Sequence, residues 1–167
     1  MGITGTDNYY EDFEVGDRYI HCRGRTVTEM DNVAFTNLSM NTAEGHFNED
    51  MMSRLQIGGF GLKRVVVGSL TISLVIGLTS EDLSENALAE VSLDKIRLPN
   101  SVYHGDTVYA ESEVLGKEET DLYPGAGIVH FRITGKNQEE KIVFTGEKKT
   151  VLKKREYYFE DDQQFGP

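Results

Sequence analysis

The sequence contains a single cysteine, Cys22, and no hydrophobic run long enough to span a membrane. One cysteine cannot form an intrachain disulfide, so nothing indicates an oxidising compartment. The longest apolar stretch, residues 65–78, is broken by glycine, serine and threonine, whereas a transmembrane helix needs roughly 20 apolar residues. The N-terminus is acidic and lacks the apolar segment of a signal peptide. We therefore expect a cytoplasmic protein that does not cross a membrane.

Positive charge is also scarce, because 17 lysine and arginine residues stand against 28 aspartate and glutamate residues and leave a net charge of −11. Nucleic acids and anionic membranes bind clustered lysine and arginine, so neither is an expected partner. A small anionic ligand needs only a local basic patch and is compatible with this charge. The four histidines and one cysteine do not have the spacing of metal ligands, so no metal is predicted.

The length of 167 residues favours one compact domain with one hydrophobic core. We expect residues 1–8 to form a flexible N-terminus and residues 9–155 to form the domain. The last segment, residues 156–167, is acidic and aromatic and is expected to be a tail that either docks on the domain or hangs free.

Alternating hydrophobic residues and turn signals predict strands over most of the chain. Adjoining strands favour antiparallel hairpins, and a helix that precedes them must cover one face of the sheet, so the fold class is α+β. Cys22 is expected to be a small buried residue of the first strand, because free cysteine is among the most buried residue types. The predicted strands cover residues 18–27, 88–98, 106–116, 128–136 and 142–152.

Helices are predicted between the first strand and the rest. An N-cap at Thr28, followed by acidic residues, begins the first helix, and Asn48 offers a second helix start. The glycine-rich residues 58–61 are interpreted as a hinge. The apolar side chains of the first helix are expected to face inward: Val33, Ala34, Phe35 and Leu38.

The pattern of residues 65–83 fits two structures. Its apolar residues alternate as in a strand, whereas Ser69, Ser73 and Gly77 would form one stripe of small residues on a helix. The length of the segment and the stop signal that follows favour a helix. A helix that is apolar nearly all round must be surrounded by protein, so we expect this one to be buried.

The polar loop of residues 40–50 contains His46 beside the small residue Gly45. Imidazole has an unperturbed pKa of about 6.5 and can both accept and donate a proton near neutral pH, so this loop is the candidate for acid–base chemistry. A lone histidine is more often structural or exposed, and that interpretation is preferred for His21, His104 and His130.

Five segments, in this order, resemble the MaoC-like dehydratase family and its branch of mesaconyl-CoA hydratases. The segments read "EDFEVGDRY", "GRTVTEMDN", "MNTAEGHFNEDM", "VVVGSLTISLVIGL" and "DKIRLPNSVYHGDTVYAESEV". The resemblance covers roughly residues 9–150. It implies a single hot-dog domain, in which a curved antiparallel sheet wraps around a long central helix, and homodimers or higher homo-oligomers whose sheets join edge to edge. It further implies a hydratase or dehydratase of 2-enoyl-CoA thioesters, with CoA as part of the substrate and no separate cofactor.

The resemblance also assigns roles to individual residues. His46 takes the position of the catalytic histidine, and Gly68 takes that of the backbone N–H that binds the thioester oxygen. Asn41 stands where the family motif has an aspartate, and Ala43 and Glu44 replace its Asn-Pro pair. An asparagine cannot act as a base at neutral pH, but its amide can orient a water molecule by hydrogen bonding.

A second acid or base, if the reaction needs one, has to come from elsewhere. Glu44 is the first candidate because it lies inside the loop, and Glu49 is the next nearest carboxylate. Alternatively, the carboxylate of the substrate assists, and Arg23 or Arg25 receives it. For the phosphates of CoA the available cations include three residues that the resemblance suggests by analogy: Lys63, Arg64 and Arg97.

Two other functions remain open at the level of sequence. A hot-dog thioesterase would use the same thioester pocket but release free CoA. A non-catalytic acyl-CoA-binding or regulatory module would explain why Asn41 occupies the position of the family aspartate. Release of thiol distinguishes the thioesterase, and binding without turnover distinguishes the module.

Overall fold

The computed structural model describes residues 8–55 and 63–156. Short 3₁₀ turns at Tyr10–Asp12 and Glu44–His46 accompany the regular elements. The helices are α1 (Glu29–Leu38), α2 (Glu49–Arg54), α3 (Gly68–Leu78) and α4 (Ser80–Leu83). The strands are β1 (Arg18–Thr26), β2 (Ala87–Arg97), β3 (Thr107–Glu119), β4 (Ala126–Asn137) and β5 (Ile142–Lys153).

The five strands form one antiparallel sheet in the order β1-β3-β4-β5-β2. Along β4 the buried residues alternate with the more exposed ones, so one face of the sheet is apolar and the other polar. Helix α3 lies on the apolar face, where Val75 packs so closely on Gly135 that a Cβ there would be 2.5 Å from the valine Cγ2. The predicted strands, the antiparallel pairing and the hot-dog arrangement are confirmed.

The central helix is shorter than predicted. The sequence predicts one helix over residues 65–83, but α3 ends at Leu78, and Thr79 separates it from α4. Val65, Val66 and Val67, which precede α3, are extended and not helical. Their three N–H groups form hydrogen bonds with distant parts of the chain and not with the preceding turn of a helix. They donate to the Gly45 carbonyl (3.1 Å), the Val102 carbonyl (2.9 Å) and the Asn32 side chain (2.9 Å), respectively.

The predicted burial of α3 is only partly right. Leu70, Thr71 and Val75 are buried on the side that faces the sheet. The stripe of small residues, Ser69, Ser73 and Gly77, is exposed in this single chain. The helix is therefore covered on one side by the domain and open along the stripe.

The inward face predicted for α1 is only partly right, since Phe35 packs against the core but Ala34 and Leu38 do not. The buried residues of this helix are Asn32 and Thr36, whereas Leu38 is 86% exposed and Ala34 is also exposed. The reason is that α1 covers the turn that contains His46 and meets its backbone. The predicted N-cap at Thr28 is confirmed, because its hydroxyl accepts the N–H of Asp31 at 3.2 Å.

Strand β1 has the opposite orientation to the one predicted for Cys22. Tyr19 and His21 are buried, and Ile20 and Cys22 are exposed. The larger side chains point inward because their polar atoms find partners there: the Tyr19 hydroxyl donates to Asp17 at 3.0 Å, and His21 is bonded on both ring nitrogens. The sequence thus predicts the strand correctly but assigns the wrong set of alternate side chains to the interior.

At the N-terminal end of the domain, the chain is anchored at Asn8. The sequence predicts flexibility up to residue 8, but Asn8 is buried and its side chain donates to the Glu81 carbonyl. The remainder of that segment, the predicted hinge at residues 58–61 and nearly all of the predicted tail lie outside the described residues. No helix among the described residues is long and apolar enough to cross a membrane.

Burial of His21 makes the stability of the domain depend on pH. Its Nδ1–H donates to Asp82 Oδ2 at 2.5 Å, and its Nε2 accepts from the Ser112 hydroxyl at 3.0 Å. Burial lowers the pKa of His21 below its ordinary 6.5, although the hydrogen bond and charge of Asp82 oppose this shift. The unfolded chain therefore binds a proton here at a higher pH than the folded chain does.

We expect this histidine to destabilise the fold as the pH falls below about 6.5, because only the unfolded state gains the proton in that window. Urea unfolding at pH values above and below this point measures the loss, and NMR titration of the His21 ring isolates its part. A ring that titrates at or above the ordinary histidine value would contradict the expectation.

Candidate active site

His46 lies at the end of the short 3₁₀ turn Glu44–His46, between α1 and α2. The turn forms because the Glu44 carbonyl accepts the N–H groups of Phe47 (3.1 Å) and Asn48 (2.8 Å). Asn48 then caps α2, with its side chain accepting the N–H of Met51 at 2.9 Å. The helix start predicted at Asn48 is confirmed, and the imidazole is held on a turn that is fixed at its C-terminal side.

One ring nitrogen of His46 has a partner that fixes its proton. Nδ1 is 3.1 Å from the backbone oxygen of Val65, and a carbonyl oxygen can only accept a hydrogen bond. The neutral ring must therefore carry its proton on Nδ1, which leaves a lone pair on Nε2. Because of this lone pair, Nε2 is the atom that can take a proton from a bound molecule. His46 as a whole is half-buried.

The turn and the start of α3 are joined through residues 65–67. The Val65 N–H donates to the Gly45 carbonyl, and the Val65 carbonyl receives the His46 ring proton. Gly68, the first residue of α3, follows three residues later. His46 and Gly68, the two principal residues predicted from the sequence, are thus at the two ends of one short extended segment: His46 contacts Val65, and Gly68 follows Val67.

The N–H of Gly68 has no hydrogen-bond partner within residues 8–55 and 63–156, as is usual for the first residue of a helix. Unpaired N–H groups and the helix dipole favour negative charge at this end. The residue is a glycine for a steric reason, since a Cβ here would be 2.7 Å from Leu98 Cδ1. The side chain of Leu98 therefore covers the start of α3 from the end of β2.

Asn41 is used within the loop. Its side-chain oxygen accepts the N–H of Ala43 at 3.2 Å, and its own N–H donates to the Thr36 carbonyl at 2.9 Å. Met40, just before it, has a left-handed φ of 54°, which reverses the chain out of α1. Asn41 therefore shapes the entry to the loop, and its predicted contact with a water molecule stays a prediction.

The candidate carboxylates differ in their surroundings. Glu44 is exposed, and its carboxylate makes no ion pair or hydrogen bond with another residue in the described part of the chain. Glu49 instead accepts hydrogen bonds from Nε of Arg64 at 2.9 Å and from its backbone N–H at 3.3 Å. These two hydrogen bonds lower the pKa of the Glu49 carboxyl. A role for Glu44 as a second acid or base stays a prediction.

The three predicted CoA-binding cations differ in their exposure and their partners. Arg64 bridges Glu49 and Glu29, the latter at 3.2 Å, and its side chain is only 12% exposed. These contacts tie the start of the 65–67 segment to α1 and α2. Lys63 and Arg97 are exposed, the latter at the end of β2. Their contact with CoA remains a prediction.

Neither arginine proposed for a substrate carboxylate is unpaired. Arg23 contacts Glu81 at 2.6 Å, and Arg25 contacts Asp31 at 2.7 Å. Residues that could hold a metal are likewise dispersed, and no three histidine, cysteine or acidic side chains gather around one point among the described residues. That the protein needs no metal and no separate cofactor stays a prediction from the sequence.

Sequence reasoning missed Asn32. Its side chain donates to the His46 carbonyl at 2.8 Å and accepts the Val67 N–H at 2.9 Å. The only signal in the sequence is a polar residue on a helix that has few apolar residues to bury, next to the capping residue Asp31. That signal identifies neither contact, because both partners are backbone groups distant in sequence.

The sequence is similar to a known family and to individual relatives. The family model for mesaconyl-CoA hydratase matches residues 5–154. The chain is 37% identical over 117 residues to a beta-methylmalyl-CoA dehydratase of Chloroflexus aurantiacus, which covers 70% of this chain and 32% of that protein. It is 35% identical over 133 residues to a mesaconyl-CoA hydratase of Cereibacter sphaeroides, which covers 80% of this chain and 36% of that protein.

A solved structure agrees with these matches. The crystal structure of a MaoC domain protein dehydratase from Chloroflexus aurantiacus superimposes with a TM-score of 0.80 and 26% identity, over 90% of this chain and 46% of that chain. The chain therefore spans less than half the length of these three relatives. The family match includes every strand of the sheet, the turn with His46 and the start of α3.

Proposed function

The chain belongs to the mesaconyl-CoA hydratase family, and from that premise we propose that it adds water reversibly to the double bond of a short 2-enoyl-CoA thioester. Such an enzyme is a carbon–oxygen lyase of the enoyl-CoA hydratase type. The observation that carries the proposal is the link between His46 and the segment before α3: Nδ1 of His46 is bonded to the Val65 carbonyl, and Gly68, whose N–H has no partner among the described residues, begins the helix three residues later.

In the hydration direction, His46 Nε2 takes a proton from water while the water oxygen forms a bond to C3 of the thioester. The electron pair of the double bond moves toward the thioester, and negative charge develops on its oxygen. The N–H of Gly68 stabilises that charge. The imidazolium then returns its proton to C2, so one imidazole serves as base and acid, and dehydration follows the same steps in reverse.

The names of two relatives favour mesaconyl-CoA as the substrate. Its acyl group is branched and has a terminal carboxylate. We propose it as the first substrate to test, with crotonyl-CoA as the comparison that lacks the carboxylate. Lys63 and Arg97 remain the exposed candidates for CoA, whereas Arg64 is occupied by two glutamates.

A thioesterase based on a serine nucleophile is not supported. The described residues contain one chain of serine, histidine and aspartate, formed by Ser112, His21 and Asp82. All three residues are at most 4% exposed, so the serine hydroxyl is poorly placed to attack a thioester carbonyl. His46 is more exposed than this cluster and is bonded to the segment that precedes α3.

The test follows the enoyl thioester absorbance and free thiol in the same tube, with mesaconyl-CoA and with crotonyl-CoA. Loss of conjugation without thiol is the result expected of a hydratase. Thiol release would replace the proposal by a thioesterase. Saturable binding of both thioesters without any turnover would replace it by an acyl-CoA-binding module.

We further propose that two copies of the chain pair along β2. Among the described residues this strand pairs with β5 alone and lies at the edge of the sheet, so its other side presents backbone groups that a further strand could bind. Its side chains are unusually apolar for an edge, since Leu88, Val91 and Leu93 are between 39% and 51% exposed. A second copy joined edge to edge would satisfy the backbone groups and cover these side chains.

Replacing Val91 by lysine is expected to convert a dimer into a monomer, because a charge on an edge strand opposes strand pairing. Light scattering coupled to size-exclusion chromatography measures the mass. Leu122→Lys is the matched control, because Leu122 is 83% exposed and lies between β3 and β4, outside β2. A wild-type chain that runs as a monomer, or a Val91→Lys variant that stays dimeric, would refute the pairing.

A further inference from the structure

Asn32 is a fully buried amide in α1 that joins two segments which lie far from it in sequence. Its Nδ2 donates to the carbonyl oxygen of His46 at 2.8 Å, and its Oδ1 accepts the N–H of Val67 at 2.9 Å. His46 is the proposed base, and Val67 is the residue that precedes the oxyanion donor Gly68. One side chain therefore contacts the backbone on both sides of the proposed reaction site.

We infer that Asn32 is a positioning residue, whose amide sets the distance and orientation of the His46 ring relative to the first N–H of α3. This inference rests on the proposed function. The amide is not itself in a position to exchange a proton, since both of its described contacts are with backbone groups.

The contacts close a ring of hydrogen bonds. The His46 ring proton is donated to Val65, Asn32 binds the His46 carbonyl, and Asn32 also binds Val67, two residues after Val65. A rotation of the turn about its own axis would break at least one of these bonds. This closed set of hydrogen bonds therefore fixes the orientation of the imidazole and keeps its proton on Nδ1.

Few side chains could replace this amide. One end must donate and the other accept at a fixed separation, which asparagine does and a carboxylate does not. An apolar residue would leave the His46 carbonyl and the Val67 N–H without these bonds, at the cost of two buried unsatisfied groups. Glutamine has the right groups but is longer by one methylene.

The experiment compares Asn32→Asp with the control Thr36→Val. The aspartate keeps the acceptor for Val67 and loses the donor to His46, with almost no change in volume. Thr36 lies one turn further along α1 and is similarly buried, but its hydroxyl donates within the helix, to Val33 at 2.9 Å. Both variants remove a buried hydrogen bond, and only one of these bonds reaches the site.

We expect Asn32→Asp to lower kcat for hydration by roughly 10- to 50-fold with KM within about threefold, since small misplacements of a catalytic group reduce the chemical step. Thr36→Val should keep kcat within about twofold of the wild type. In ¹⁵N NMR spectra, the His46 ring of the wild type should be protonated on Nδ1, and Asn32→Asp should lose this preference, whereas Thr36→Val should retain it.

An unchanged kcat in Asn32→Asp, or an equal loss in Thr36→Val, would overturn the inference. Should Asn32→Asp not fold, Asn32→Ser is measured in the same way with the same expected direction. If the wild-type protein hydrates no thioester, the proposed function fails separately. In that case the NMR comparison alone decides the role of Asn32, and an unaltered His46 ring in the variant would refute it.

Discussion

Replacing His46 by glutamine is expected to lower kcat for hydration by about 10³-fold, because general acid–base catalysis by one side chain typically contributes 10²- to 10⁴-fold. Glutamine is close to histidine in size, and the turn is also fixed by the bond of its His46 carbonyl to Asn32, so the turn should keep its position, but the amide has no basic nitrogen to accept a proton from water. Steady-state kinetics with the preferred thioester measures the loss. Binding of the substrate to the variant, measured by calorimetry, should change little.

The matched control is His130→Gln, the same change of side chain on the outer face of β4. His130 is bonded through Nε2 to Glu147 at 3.0 Å and lies away from α3. Its replacement should leave kcat within about twofold of the wild type. Activity retained by His46→Gln, or lost equally in both variants, would remove His46 from the reaction.

The second large effect is expected at Gly68, where proline removes the N–H and leaves the rest of the helix intact. Proline is favoured at the first position of a helix, and Val67 before it already has φ −61° and ψ 132°, the conformation that a residue before proline adopts. Loss of one oxyanion donor typically lowers kcat by about 10²- to 10³-fold. We expect Gly68→Pro to fall in that range while its thermal stability stays near that of the control.

The control is Gly68→Ala. Alanine introduces the same clash of a Cβ with Leu98 Cδ1, 2.7 Å away, but keeps the N–H. Leu98 is partly exposed and its side-chain end can move, so the alanine variant should lose no more than about fivefold in kcat. If proline and alanine reduce kcat equally, the effect is steric and the N–H of Gly68 is not the oxyanion donor.

Much of the sheet could be predicted because its signals are local. The predicted strand of residues 128–136, for example, lies within Ala126–Asn137, and its alternation of buried and exposed residues comes directly from the period of two in a strand. The predicted turns between strands contain glycine, proline or asparagine, but the turn predicted at residues 135–137 is wrong, because β4 continues to Asn137. Antiparallel pairing of β3 with β4 and of β4 with β5 then follows from the short connections between them.

The errors lie where polar side chains have distant partners. Asn32 and Thr36 are the buried residues of α1, because this helix covers backbone groups of the turn and contributes only Phe35 to the apolar core. His21 displaces Cys22 from the interior because Asp82 and Ser112 satisfy both of its ring nitrogens. A one-dimensional hydrophobic pattern contains no information on such partners.

The site shows the same division. A histidine in a polar loop and a glycine at the start of an apolar helix are visible in the sequence, and the structure brings both to the 65–67 segment. The true start of the helix was not visible, because it depends on the bonds that Val65 and Val67 make with Gly45 and Asn32. A further bond of the same segment, from His46 Nδ1 to the Val65 carbonyl, determines which nitrogen of the neutral ring is free.

The most direct test of a single imidazole that adds water across the double bond is the stereochemistry of hydration in D₂O. Because His46 would take a proton from water and return it to C2 on the same face, the expected product has one deuterium at C2, added syn to the new hydroxyl at C3. NMR of the product from mesaconyl-CoA or crotonyl-CoA gives the configuration. Anti addition, which requires a second acid such as Glu44, or no hydrated product from either thioester, would contradict the proposed reaction.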